Sequence, residues 1–295
     1  MTVAFALSGG GNLGAMQAGS MRALVEAGIE PDMVAGASIG ALNAAAYATH
    51  PGIDGCLRLQ TAWSDIRRKD VFRFELSRVI TGFLGVRDHL VATKRLEAVI
   101  HEWLGIERIE EAALPFVAVA TDALTGEVVV MSRGEIASAL LASAAIPGLF
   151  PPVWREGRWL VDGSLSAGCP AVEALELGAD VVYAFMTTTA PRRRPPRGAV
   201  AAAMSSVSFL TAKMQASRLD EAARDAEARG GAVHHVPSPF PDAPSPFDFA
   251  QGAALSSAGY RCAVQWLGDR TTDDAGIERS GAEHDGGAGG QPARA

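Results

Sequence analysis

Apolar positions along the chain follow two rhythms, short unbroken runs bounded by glycine or proline and longer segments in which apolar residues return every third or fourth position. Thr2 to Ser8 is the first short run and predicts a strand that enters the loop Gly9-Gly-Gly-Asn-Leu-Gly14 directly. Ala15 to Ala27 then predicts a helix stopped by Gly28; its polar residues Gln17, Arg22 and Glu26 make one narrow stripe, so most of its surface is covered. The next run, Met33-Val-Ala-Gly-Ala-Ser-Ile-Gly-Ala-Leu-Asn43, goes in as a strand and comes out as an alanine-rich helix. Strand, glycine loop, helix and strand in this order make a βαβ unit, which predicts an α/β fold with a parallel sheet.

The remaining pattern continues the alternation. Ile53 to Ile66 reads as a helix closed by Arg67-Arg-Lys69, and Thr93 caps an amphipathic helix with Leu96, Val99, Ile100, Trp103 and Leu104 on one face. Between them, Val71 to Val91 mixes aromatic, aliphatic and charged residues with neither period, and reads either as a lid that meets lipid or as an ordinarily packed short helix and loop. Pro115 to Thr121 and Val128 to Met131 are strands, Glu135 to Ala145 a helix, and Pro151 to Val161 a hairpin turning at Gly157 and delivering Asp162-Gly163. Pro170 opens a helix as its first residue, Gly178 closes it, and Asp180 to Met186 is a buried strand. Pro191 to Arg197 is basic and proline-rich, a solvated loop or a contact for anionic head groups. A helix over Ala199 to Arg229, a strand over Ala232 to Val236 and a helix over Phe249 to Leu267 complete the fold. The sequence loses periodicity from Asp269, so one domain over 1–268 and a disordered tail over 269–295 are expected.

Composition narrows the function. The chain of 295 residues is 48% hydrophobic and 20% charged, which suits one large α/β domain, and a net charge of −7 argues against a nucleic-acid partner. Cys56, Cys169 and Cys262 lack metal-ligand spacing and are odd in number, so they read as small apolar residues in a reducing compartment, with no metal expected. The chain enters its first strand without a basic, apolar and small-residue leader, and Met33 to Ile53, though free of charge, carries Ser38, Asn43, His50 and Pro51; a cytoplasmic location, with room for peripheral contact at a membrane surface, is the expectation.

Gly36-Ala-Ser-Ile-Gly40 is a Gly-x-Ser-x-Gly pentapeptide at a strand-to-helix junction, the pattern of a nucleophile elbow. A serine on so tight a turn needs small neighbours, here Gly36 and Gly40, and the helix N-terminus beneath it favours negative charge. The loop at Gly9, Gly10, Gly11 and Gly14 has three readings, the plainest of them a tight turn without chemistry. It fits the Gly-x-Gly-x-x-Gly of dinucleotide sites, but the acid of such a site belongs at the carboxyl end of the second strand, where this chain has Ser38 while Asp32 lies at the strand's beginning. Otherwise the glycines leave backbone N–H groups near Gly10 and Gly11 open to an oxyanion. Asp162, at a strand end before glycine, is either a functional carboxylate or simple turn chemistry.

Together these motifs resemble the patatin-like phospholipase family. Gly9 to Gly14 is similar to its glycine-rich loop, Gly36 to Gly40 to its elbow and Asp162-Gly163 to its Asp-Gly motif, while Ala142-Ser-Ala-Ala-Ile-Pro-Gly-Leu-Phe-Pro-Pro-Val153 resembles the stretch before it. The resemblance covers about Val3 to Leu267. It implies a three-layer α/β/α fold with a central, mostly parallel sheet and a lipid acyl hydrolase whose dyad is Ser38 and Asp162, with no catalytic histidine and no cofactor. It also implies a lipid or acyl-ester substrate. Leu13 stands where the family usually has Arg or Lys, Ser164 where its motif has a third small residue, and Ala167-Gly168 where asparagines are common. The competing readings are a Ser-Asp-His triad using His234 or His235, and a lipid-binding protein of this fold without turnover.

Overall fold

The computed structural model describes residues 1–66, 94–187, 198–239 and 248–283. The segment Val71 to Val91 and the basic connection Pro191 to Arg197 lie outside the described residues.

The first strand, β1 (Val3–Leu7), shows how the layers arise: Phe5 and Leu7 project into one core, Ala4 and Ala6 into the other. The bulky side receives α1 (Gly14–Glu26), α2 (Ile39–Thr49), α3 (Ile53–Asp65), α4 (Lys94–Leu104), α5 (Ile136–Ser143) and α8 (Gly252–Glu283). The alanine side receives α6 (Ala171–Glu176) and α7 (Ala199–Ala228), which approach closely through Ala171, Ala174, Ala222 and Ala226. The result is an α/β/α sandwich.

The sheet has eight strands. β2 (Met33–Ala37), β1, β7 (Val181–Phe185) and β8 (Ala232–Val236) run parallel, and β3 (Phe116–Asp122) pairs parallel with β2. β4 (Val128–Met131), β5 (Val153–Arg155) and β6 (Arg158–Asp162) add the antiparallel part. Ala118 and Val119 of β3 pair with both β2 and β4, while Ala120 and Thr121 pair with both β4 and β6. A strand has only two edges, so β2 and β6 must share one of them, meeting end to end with Ala37 opposite Val119 and Asp162 opposite Ala120. That arrangement brings the residue after Ala37 against Asp162.

Gly28, at φ +80°, ends α1 as expected: its N–H donates to Val25 and that of Ile29 to Leu24, the paired bonds of a left-handed helix stop. Pro170 caps α6 from outside the helix, since its ψ of 52° is not helical, where the sequence suggested the first helical position. The backbone of α8 runs helical through Glu283, past Asp269.

Candidate active site

Ser38 stands between β2 and α2 with φ 54° and ψ −126°, a conformation that costs a side-chain-bearing residue about 1–3 kcal/mol. The close approach around it explains the flanking glycines. A Cβ on Gly36 would lie 2.3 Å from the Gly40 carbonyl oxygen, and one on Gly40 would lie 2.2 Å from that of Leu7. The turn therefore packs against the end of β1 and the start of the glycine loop.

Ser38 Oγ donates a 2.6 Å hydrogen bond to Asp162 Oδ2 in a buried environment. The other carboxylate oxygen accepts from the Ser164 N–H at 2.8 Å, and Thr121 Oγ1 donates to the Asp162 carbonyl at 2.8 Å. Burial pushes the Asp162 carboxyl above the usual range, against the opposing pull of the bonds from Ser38 and Ser164. A carboxylate in this state is a stronger base than one in water.

The glycine loop abuts the same point. A Cβ on Gly9 would lie 3.0 Å from Ser38 Cβ, and Gly10 and Gly11 have φ of 155° and 61°. Among the described residues, neither the Gly10 nor the Gly11 N–H makes a hydrogen bond. The loop is held from behind: Gln17 Nε2 donates to the carbonyls of Ser8 and Phe185 at 2.8 and 3.0 Å, Thr187 N–H donates to Ser8 Oγ at 2.9 Å, and Thr187 Oγ1 donates to the Gly9 carbonyl. Gly14 is drawn elsewhere. Its N–H turns back to the carbonyls of Gly11 and Asn12, its carbonyl accepts from Asn43 Nδ2 at 2.9 Å, and a Cβ there would strike Ile39. It packs the loop against α2 and is not an open donor.

Other residues singled out in the sequence are placed apart. His234 and His235 lie on β8, three strands along the sheet from β2, and His234 packs against the Tyr183 ring at 5.0 Å. Asp32 accepts from the Val3 N–H at 2.7 Å at the opposite end of β2 from Ser38. Leu13 is buried in the core, as are Cys56 and Cys169, and burial pushes the Cys56 thiol up to about 12.

Sequence reasoning missed Ser143. This fully buried residue accepts from the Ser38 N–H at 2.9 Å and donates to the Val119 carbonyl at 2.6 Å, tying the strained turn to β3. It lies within the quoted stretch Ala142 to Val153, but nothing in that stretch points to a partner so far back in the chain. Thr121 and Thr187 escaped for the same reason.

Comparison with known proteins identifies the family. Residues 5–175, more than half of the chain, fit the family model described as patatin-like phospholipase. The chain belongs to the patatin-like phospholipase family. Among curated relatives, an NTE family protein of Mycobacterium tuberculosis is 33% identical over 182 residues, covering 62% of this chain and 48% of its own length. A patatin-like phospholipase domain-containing protein of Caenorhabditis elegans is 30% identical over 186 residues, covering 62% of this chain and 16% of its own. The neuropathy target esterase sws of Drosophila melanogaster is 28% identical over 187 residues, covering 62% of this chain and 13% of its own. The chain thus spans about half or less of the length of these relatives. Among solved structures, VipD from Legionella pneumophila aligns at 16% identity with a TM-score of 0.48, covering 91% of this chain and 67% of that one. No helix among the described residues is long and apolar enough to cross a membrane.

Proposed function

We propose that this patatin-like protein hydrolyses fatty acyl esters of lipids through a two-step acyl transfer run by Ser38 and Asp162. The observation that carries the reading is the direct 2.6 Å contact between the serine hydroxyl and a buried carboxylate on a strained turn, with no imidazole between them. Asp162 takes the hydroxyl proton as Ser38 Oγ attacks the ester carbonyl, and the open N–H groups of Gly10 and Gly11, with Gly9 giving them room, receive the charge that develops on the carbonyl oxygen. As the C–O bond to the alcohol breaks, the protonated Asp162 returns its proton to the leaving oxygen. Water, deprotonated by the same carboxylate, then releases the fatty acid from Ser38.

Two features support a carboxylate as sufficient base. Desolvation raises the proton affinity of Asp162, and each preorganised N–H donor in an oxyanion site is worth roughly 3 kcal/mol in the transition state. An acyl-ester substrate of lipid type agrees with the family and with the esterase name of the Drosophila relative. Leu13 offers no cation from the glycine loop, so a phosphate-bearing head group is not required. The catalytic unit falls within 1–268, with 269–295 as an appendage, and a cytoplasmic location with peripheral contact at a membrane surface is part of the same proposal.

The test is labelling with an organophosphonate followed by mass spectrometry. The adduct is expected on Ser38, with loss of hydrolysis in proportion to labelling; an unlabelled Ser38 in a folded protein that releases no fatty acid from mixed lipids would leave a lipid-binding protein without turnover.

A further inference from the structure

The helix α7 is longer than the layer it packs on. Its 30 residues span about 45 Å, whereas the five-residue strands β7 and β8 that it connects span about 17 Å. Leu219, Ala222 and Ala226 pack against the sheet, and Gln215 lies against Gly168 and Met186. Before Gln215 the helix runs beyond the sheet. Because α7 leads from the end of β7 to the beginning of the parallel β8, this overhang stands past the carboxyl end of the sheet, where Ser38 and the glycine loop also lie.

The overhang carries apolar residues where a water-facing helix should be polar. Val207, Phe209 and Leu210 are 49%, 68% and 70% exposed. At 100° per residue, Leu210 falls on the side opposite Leu219, Ala222 and Ala226, with Lys213 beside it, so the outward side of the overhang presents an apolar residue next to a cation. A second exposed pair stands at the same end of the sheet: Trp154 and Trp159, ring centroids 5.0 Å apart, lie beyond Asp122, the last residue of β3.

Charge selects the occupant. From Gly198 to Leu219 the helix has no acidic residue, Arg218 is taken up by the buried Glu173, and Lys213 is left as the cation of the overhang, in a protein whose net charge is −7. Two copies meeting symmetrically through α7 would set like charges against each other, whereas an anionic lipid surface complements them and accepts Phe and Leu below its head groups. We propose that the overhang of α7 docks the protein onto anionic lipid surfaces, holding the carboxyl end of the sheet, and with it Ser38, toward the interface. The orientation toward substrate rests on the acyl-hydrolase reading; the docking itself does not.

The experiment measures binding without turnover. Full-length Ser38→Ala protein is sedimented with vesicles of phosphatidylcholine alone or mixed with phosphatidylglycerol, at low and high salt. Binding is expected to the mixed vesicles, weakening with salt. Phe209→Asp with Leu210→Asp should reduce it at least tenfold, and Lys213→Glu should reduce it severalfold, while both changes in the Ser38 background leave hydrolysis of a short, water-soluble ester unaltered. Circular dichroism establishes that the variants are folded. Equal binding by wild type and the double variant overturns the proposal, as does binding to neither vesicle. A dimer of the wild type in sedimentation velocity that the double variant abolishes also overturns it, in favour of a self-association face. Failure of ester hydrolysis with vesicle binding intact counts against the dyad and not against the docking.

Discussion

Replacing Ser143 with alanine removes a single oxygen, yet that oxygen serves two buried groups. The Ser38 N–H, 2.9 Å away, loses its acceptor, and the Val119 carbonyl, 2.6 Å away, loses its donor. Ser143 is 0% exposed, so water does not replace it without rearrangement. Each orphaned buried group costs about 1–3 kcal/mol, for a total of roughly 2–6 kcal/mol, while the cavity left by one atom adds little. The loss also acts on function. Ser38 holds φ 54° and ψ −126° against a strain of about 1–3 kcal/mol, and the bond from Ser143 is one of the ties opposing relaxation. A shift of the hydroxyl by about 1 Å from its place beside Asp162 reduces turnover on the order of a hundredfold. Urea unfolding gives the stability from the midpoint at constant slope, and steady-state hydrolysis of a soluble ester by the folded variant gives kcat and KM. Loss of kcat at nearly constant KM, with destabilisation in that range, is expected. A variant less than about 1 kcal/mol destabilised that keeps full kcat would show that Ser143 does not hold the elbow.

Three further outcomes follow from the same geometry. Because burial raises the Asp162 pKa in the folded protein, the ionised carboxylate opposes folding above that pKa and not below the unfolded value near 4; Asp162→Asn should therefore raise the melting temperature at pH 8, with the gain fading toward pH 4, and a destabilised variant at pH 8 would refute this. A His234→Ala, His235→Ala double variant should keep most of its ester hydrolysis, since both residues are on β8 away from Ser38; a loss of several orders of magnitude in folded protein would restore a triad. Gly10→Ala should lower both turnover and melting temperature, because a Cβ there would lie 2.0 Å from Thr187 Oγ1 as well as crowd the open N–H groups; unchanged activity would remove this loop from the oxyanion site.

What could be read from the sequence divides along contact distance. The strand, glycine loop, helix and elbow from Val3 to Thr49 are local features, fixed by apolar runs and by glycines whose absent side chains are required within the turn itself, and they stand where the pattern put them. The meeting of Ser38 with Asp162 is not local. It depends on β2 and β6 sharing one edge of β3, a pairing across 124 positions that hydrophobic period does not encode and that only family resemblance suggested. Ser143 and Thr187 are hidden for a like reason, since a serine or threonine contributes nothing to an apolar pattern until the strand it ties to is known. Gly14 shows the converse: a glycine within the right motif serves packing against α2, which the motif alone does not distinguish from an open donor. The length of α7 was legible, but its overhang was not, because that requires the strand lengths beside it.

The turnover of Asp162→Asn, measured on protein shown by circular dichroism to be folded, tests the dyad most directly. If Asp162 is the base acting on Ser38, asparagine at that position preserves the shape and removes the proton acceptor, and kcat should fall by about four to six orders of magnitude with Ser38 still in place. Activity within tenfold of the wild type would contradict the dyad and require another base for Ser38.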